Sequence, residues 1–267
     1  MNRHIILISN PGNSQDSNYI QSTEVAINKW KEFFKSPIGG YWQDEEITHF
    51  GENNTLDSEK LKRMLSVVLD THQCDYSIIV FCGHGGCTVD GKDAIQLPLP
   101  TKLYPNLFPV EKLIGNVNTR RTLILDACRS LIPITSQKLF EQKQYSEINL
   151  IDGNNCRKYY DSLVMESQPH TEILYSTSLH YKAYATQNGS AYSETMSNIV
   201  NQKTLLWKKL ALMDKCGQFA YSMCELQKDL ISELVKMNIQ TPDYKIEGKM
   251  NSSFPFVAMH LPTTRIL

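Results

Sequence analysis

The sequence predicts an α/β/α sandwich, a mostly parallel central sheet flanked by helices on both faces. Three features point to it. Short apolar runs alternate with segments whose apolar residues recur every three or four positions; the runs are continuous rather than alternating; and each one halts at a loop signal or a reactive polar residue. Continuous apolar strands are expected where helices cover both faces of a parallel sheet, because every strand side chain is then buried.

His4 to Ser9 is the first such run and ends in Asn10-Pro11-Gly12, a loop signal. Thr23, Ile27, Trp30 and Phe34 follow at helical spacing. Asp57 is suited to cap the next helix, on which Leu61, Met64, Leu65, Val68 and Leu69 form one apolar stripe. Tyr76 to Cys82 is an uninterrupted apolar run stopped by Gly83-His84-Gly85-Gly86. Arg121 to Ala127 repeats the pattern and stops at Cys128, and Glu172 to Thr177 repeats it again. Phe219, Met223, Leu226, Leu230 and Leu234 mark a long amphipathic helix, and Phe254 to Leu261 reads as a last strand. One stretch breaks the rhythm. From about Ser130 to His170 the chain is polar and weakly periodic, with a helical segment only around Arg157 to Val164, and connections this long inside a domain are usually functional or disordered.

A chain of 267 residues with 41% apolar content can bury one large core, so a single domain over residues 1–267 is expected. The 27 Lys and Arg nearly balance the 28 Asp and Glu, and no run of one sign appears. Nucleic-acid and membrane-surface binding by bulk electrostatics are therefore not expected. Seven scattered cysteines and an apolar start too short for a signal peptide suggest free thiols in the cytoplasm.

In open α/β sheets, sites form at the carboxyl edge, where strands run into their loops. Two predicted strands deliver reactive residues there. Tyr76–Cys82 leads to His84 and Arg121–Ala127 to Cys128, and the 44 residues between them suffice for a crossover that makes the strands parallel neighbours. A free thiol, with pKa of roughly 8.5, is mostly protonated at neutral pH. A nearby imidazole can take that proton and later return it to a leaving amine. Gly85, without a Cβ, is free to aim its N–H at a developing oxyanion, and the Cys128 N–H is the second candidate donor. The rival chemistry is a metal site, since Cys82, His84, Cys87 and Cys128 are all ligand types. Their Cys-x-His-x2-Cys spacing fits no established zinc pattern, so no metal is expected.

These motifs resemble a known family. Ile78-Ile79-Val80-Phe81-Cys82-Gly83-His84-Gly85-Gly86 and Leu123-Ile124-Leu125-Asp126-Ala127-Cys128-Arg129-Ser130 look like the histidine and cysteine blocks of the caspase and metacaspase cysteine peptidases. Leu174-Tyr175-Ser176-Thr177-Ser178, Ala183-Tyr184 and Ser190 to Met196 resemble the family's substrate-loop region, while Gln240-Thr241-Pro242 and Phe254-Pro255-Phe256 resemble its carboxy-terminal end. The resemblance implies a caspase-like sandwich and a cysteine endopeptidase acting on protein substrates without a cofactor, with Cys128 as nucleophile and His84 as acid–base partner.

Caspases carry Gln two positions before the nucleophile, whereas this chain has Asp126. Residues two apart on a strand share a face, so Asp126 is expected about 7 Å from Cys128. A carboxylate there suits the cation of an Arg or Lys side chain, which is how metacaspases use such a residue, by resemblance. If Tyr184 matches the aromatic residue of the caspase substrate loop, Ala185 stands where the Asp-binding arginine would be. Cleavage after Arg or Lys is expected, with caspase-type cleavage after Asp as the alternative.

The stretch from 130 to 170 lies where the family carries its activation linker, and Arg157-Lys158 within it is a candidate self-cleavage site. Calcium activates some metacaspases, but no dense acidic cluster supports it here. An activating partner or small signalling molecule, or a non-catalytic binding module that kept the fold, are the further readings. Cys82 shares a strand face with His84, and Cys87 lies on the loop beyond. Both read as packing residues rather than redox modulators.

Overall fold

The computed structural model describes residues 1–12, 14–15, 19–51, 58–69, 74–88, 91–97, 106–115, 118–130, 151–214 and 217–261. Strand β1 (Arg3–Asn10) leads into helix α1 (Thr23–Lys35), which buries Thr23, Ile27, Trp30 and Phe34, the stripe read from the sequence. Strand β2 (Ile47–Phe50), helix α2 (Ser58–Leu69) and strand β3 (Tyr76–Gly83) follow. Asp57, expected to cap α2, lies outside the described residues. Beyond β3 comes a small antiparallel sheet of β4 (Gly85–Cys87), β5 (Asp93–Leu97) and β6 (Asn106–Pro109), then the short helix α3 (Glu111–Ile114) and strand β7 (Arg120–Ala127).

The second half holds helix α4 (Gly153–Glu166), strand β8 (His170–Tyr175) and the two-residue ribbon strands β9 (Ala185–Thr186) and β10 (Gly189–Ser190). Helix α5 (Ala191–Asp214), strand β11 (Gln218–Ser222), helix α6 (Met223–Lys236) and strands β12 (Asp243–Gly248) and β13 (Pro255–His260) complete it.

The central sheet has six strands in the order β12-β8-β7-β3-β1-β2, and every pairing is parallel except the antiparallel edge pair β12–β8. Alternation along the strands divides the core in two. Ile5, Leu7, Ile78, Val80, Ile124 and Leu174 pack on one face with residues of α1, α5 and α6. Ile6, Ile8, Ile79, Phe81, Leu123, Leu125 and Ile173 pack on the other with residues of α2 and α3. Both faces are covered, which is why the strands read as continuous apolar runs. Truncating one of these buried side chains to Ala costs about 2–5 kcal/mol.

One expectation changes. Phe219 is not on the late helix: it lies in β11 and stacks on Trp207 at 5.9 Å between ring centroids. The helix starts at Met223 because Ser222 and Glu225 form a capping box immediately before it. The expected last strand is present as β13, which pairs antiparallel with β11 in a separate two-stranded sheet. The helical segment expected around Arg157 to Val164 is α4, longer at both ends and begun by Asp152, whose side chain accepts the Asn154 and Asn155 N–H groups. Cys156, Tyr160 and Val164 of α4 are buried, with Tyr159 and Leu163 half-buried beside them, a narrow stripe on a helix whose first turn is polar. Residues 131–150 of that stretch lie outside the described residues.

Candidate active site

Strands β3 and β7 are adjacent and parallel, in a register that sets Cys82 opposite Asp126 and Gly83 opposite Ala127. One step further along both chains are His84 and Cys128. By alternation, both follow the face of Cys82 and Asp126, the face that packs against α1 and α5. His84 is 6% exposed, whereas Cys128 is partly open to solvent. The sulfur sits 3.8 Å from the Ala183 carbonyl oxygen of the loop after β8.

The loop after β1 braces His84. Its Nε2 lies 3.2 Å from the carbonyl oxygen of Pro11, which also accepts the Ile20 N–H at 2.8 Å. A carbonyl only accepts, so Nε2 carries the proton and the lone pair of the neutral ring falls on Nδ1. The His84 N–H donates to Asn10 O at 3.2 Å, and His84 O accepts the Gln96 N–H at 2.8 Å. Asn10 closes this frame: its Nδ2 donates to Gln96 O at 2.5 Å and its Oδ1 accepts the Gly12 N–H at 3.1 Å. The approach of β1 to β3 here requires Gly83, which has φ +144°, and whose Cβ would meet Asn10 O at 2.2 Å.

Gly85 is opposite Ile95 in the β4–β5 pairing. Because His84 O already bonds Gln96, antiparallel alternation turns the Gly85 N–H away from β5. A Cβ on Gly85 would stand 2.9 Å from both Ala127 Cβ and Cys128 O, so the backbone there passes directly over the end of β7.

A cleft of about 320 Å³, counting its open mouth, lies beside Cys128 and is lined by Cys82, Asp126, Ala183, Tyr184, Ala185 and Ser190 together with the start of α1. Asp126 is 5% exposed, and burial pushes its carboxyl up to about 6 while hydrogen bonds from Ser190 and Ser176 pull the other way. The Ser190 hydroxyl donates to Asp126 Oδ2 and in turn accepts the Ser193 N–H at 2.9 Å. Burial raises the Cys82 thiol well above its ordinary range, and the negative charges of Asp126 and Glu24 raise it further. Asp126 brings an acidic group to this cleft. Among the described residues that line it there is no Lys, Arg or His.

Tyr184 donates its N–H to Gln240 Oε1 at 2.9 Å, and Gln240 Nε2 donates to Ser176 O at 2.8 Å, so the quoted block at Gln240 holds the cleft-lining loop. Ala185 pairs with Ser190 across the β9–β10 ribbon. Cys87 is buried with its sulfur 3.6 Å from His180 Nδ1. Among the described residues, no three or more His, Cys, Asp or Glu side chains are grouped to hold a metal ion. Arg157 and Lys158 sit within α4, where the Arg157 guanidinium spans Glu46 at 2.5 and 2.8 Å and donates to Tyr41 O at 3.0 Å. That bond is helical and anchored, not an extended segment a protease can grip.

Sequence reading missed the parts that act at a distance. The Pro11 carbonyl has no side-chain signature, and Ser190 belongs to a quoted block without any sign that its hydroxyl meets Asp126.

A caspase domain model matches residues 4–224. The chain belongs to the caspase family. This caspase-family chain therefore carries a domain of the cysteine peptidase kind. The crystal structure of caspase-1 from Spodoptera frugiperda aligns with a TM-score of 0.54 at 12% identity, covering 99% of this chain and 92% of that one. At that identity the likeness carries the fold alone. No curated protein matches this caspase-family chain.

Proposed function

We propose that the chain is a cysteine endopeptidase that cleaves after Arg or Lys. Support comes from the register of β3 and β7, whose adjacent ends lead into His84 and Cys128, and from a cleft beside Cys128 that Asp126 lines and that has no basic side chain among its described lining. An Asp side chain entering this cleft would meet another acidic group and no cation among the described lining; an Arg or Lys side chain would meet its counter-charge.

In the proposed reaction, His84 takes the Cys128 proton and the thiolate attacks the substrate carbonyl carbon. The tetrahedral oxyanion is met by the Gly85 and Cys128 N–H groups. His84 then protonates the departing amine, leaving a thioester, and activates the water that hydrolyses it. The Pro11 carbonyl supports these roles by keeping Nδ1 as the proton-accepting nitrogen.

The test compares fluorogenic peptides ending in Arg, Lys and Asp, with Cys128→Ala as control. Turnover of the Arg and Lys peptides alone, lost in the control, supports the reading. Preference for the Asp peptide overturns its specificity, and no turnover with any of them, with a thiol at Cys128 no more reactive than the others, favours a non-catalytic module.

A further inference from the structure

Arg129 directly follows the candidate nucleophile, and its side chain leaves the strand end on the opposite face of the sheet. It is 8% exposed. Its guanidinium grips Asp93 with both arms, Nε to Oδ1 at 2.8 Å and Nη2 to Oδ2 at 2.9 Å. Nη1 bonds Asp243 Oδ2 at 2.8 Å, and Cζ stands 3.7 Å from the centre of the Tyr175 ring. The main chain is held as well: Arg129 N–H donates to Tyr181 O at 3.0 Å, and Arg129 O accepts the His180 N–H at 2.8 Å.

These partners come from three separate elements. Asp93 begins β5, which pairs with β4, the strand that continues from His84; Asp243 begins β12; Tyr175 ends β8. The same β5 supplies the Gln96 N–H that holds His84 O. A forked, planar cation is required for this geometry, and a lysine ammonium cannot span both oxygens of Asp93 while bonding Asp243.

We infer that Arg129 is a positioning residue for the dyad: by clamping Asp93 behind Cys128, it holds the hairpin that carries His84 in line with the strand end that carries the thiol. This rests on the dyad reading above. Arg129 touches no substrate, and its effect passes through the alignment of two other groups. Small misalignments of reacting groups cost as much as about 100-fold in rate.

The experiment measures iodoacetamide alkylation of Cys128 against pH, by peptide mass spectrometry on the full chain, for the wild type, His84→Ala, Arg129→Lys, Asp93→Asn and the double variant that combines the last two. The same proteins are assayed on an Arg-terminated peptide, with melting temperature followed alongside. The wild-type thiol is expected to react at lower pH than the roughly 8.5 of an ordinary thiol. Arg129→Lys and Asp93→Asn are expected to move that midpoint upward and lower kcat about 10- to 100-fold, with KM changing less than about twofold. The double variant is expected to lose little more than either single one, because both remove one clamp. If both variants titrate as the wild type does while His84→Ala does not, the positioning role is overturned and the dyad stands. If the wild type and His84→Ala alkylate alike, the dyad reading fails and takes this inference with it. Should Arg129→Lys fail to fold, Asp93→Asn carries the comparison, since it leaves the arginine held by Asp243.

Discussion

The Ser190 hydroxyl donates a hydrogen bond to Asp126 Oδ2 across 64 residues of sequence, so the end of β10, just before α5, is tied to the carboxyl that lines the cleft. This contact favours the charged carboxylate, against the burial that favours the neutral one. Ser190→Ala is expected to raise the Asp126 pKa further above about 6 and to weaken turnover of Arg-terminated peptides several-fold near neutral pH. The check is the pH profile of that turnover, whose rise should shift to higher pH in the variant.

Selectivity itself should depend on pH. Asp126 is neutral well below about 6 and charged above it. The ratio of kcat/KM for an Arg peptide over its neutral citrulline counterpart is therefore expected to climb as pH passes through that value. Taking a ratio cancels the ionisation of the Cys128–His84 pair, which acts on both substrates. A flat ratio would remove Asp126 from substrate recognition.

The same burial has a stability consequence. The folded-state pKa of Asp126 lies above its unfolded value of 3.8, so the folded chain favours the protonated form. Stability is greatest below the unfolded value, falls as pH rises through about 6, and then levels off. The difference is on the order of 3 kcal/mol. Asp126→Asn is expected to raise the melting temperature at neutral pH while reducing the preference for Arg over citrulline by 10-fold or more. A stability cost kept for function is a familiar trade.

Gly85→Ala tests the close passage over the end of β7. Its Cβ would stand 2.9 Å from Cys128 O, so the backbone of the nucleophile must shift. The expected result is at least about a 10-fold loss in kcat with KM little changed, as for removal of an oxyanion donor. Equal losses in both constants would point to a disturbed cleft instead.

The Arg157–Lys158 bond is expected to survive in the folded, active chain. It is held in α4 by the Arg157–Glu46 pair, and cutting it requires the helix to unwind. Intact mass of active wild type against Cys128→Ala decides this. A cut at this bond in the wild type alone would show that α4 opens during activation.

Much of this was readable from sequence where the signal is local. The apolar run from Tyr76 to Cys82 and the matching run to Ala127 declare two strands of the sheet, because a two-faced strand has a composition of its own, and their ends mark where His84 and Cys128 follow. Phe219 shows the limit: its spacing to Met223 suits a helix, yet Ser222 starts the helix after it. Tyr160 and Val164 show another, since a narrow stripe on a helix that opens Gly153-Asn154-Asn155 leaves little periodicity to read. What sequence withheld was pairing over distance. The Pro11 carbonyl behind His84, Ser190 on Asp126 and Asp93 on Arg129 are contacts between segments that only the fold brings together.

The most direct test of the dyad beside an acidic cleft is treatment of the full chain with a peptidyl arginyl chloromethyl ketone, followed by peptide mapping. The expected result is one adduct, on Cys128, that forms slowly or not at all in His84→Ala and is not matched by the aspartyl analogue. Adducts spread over several cysteines, or the same labelling of Cys128 with and without His84, would contradict it.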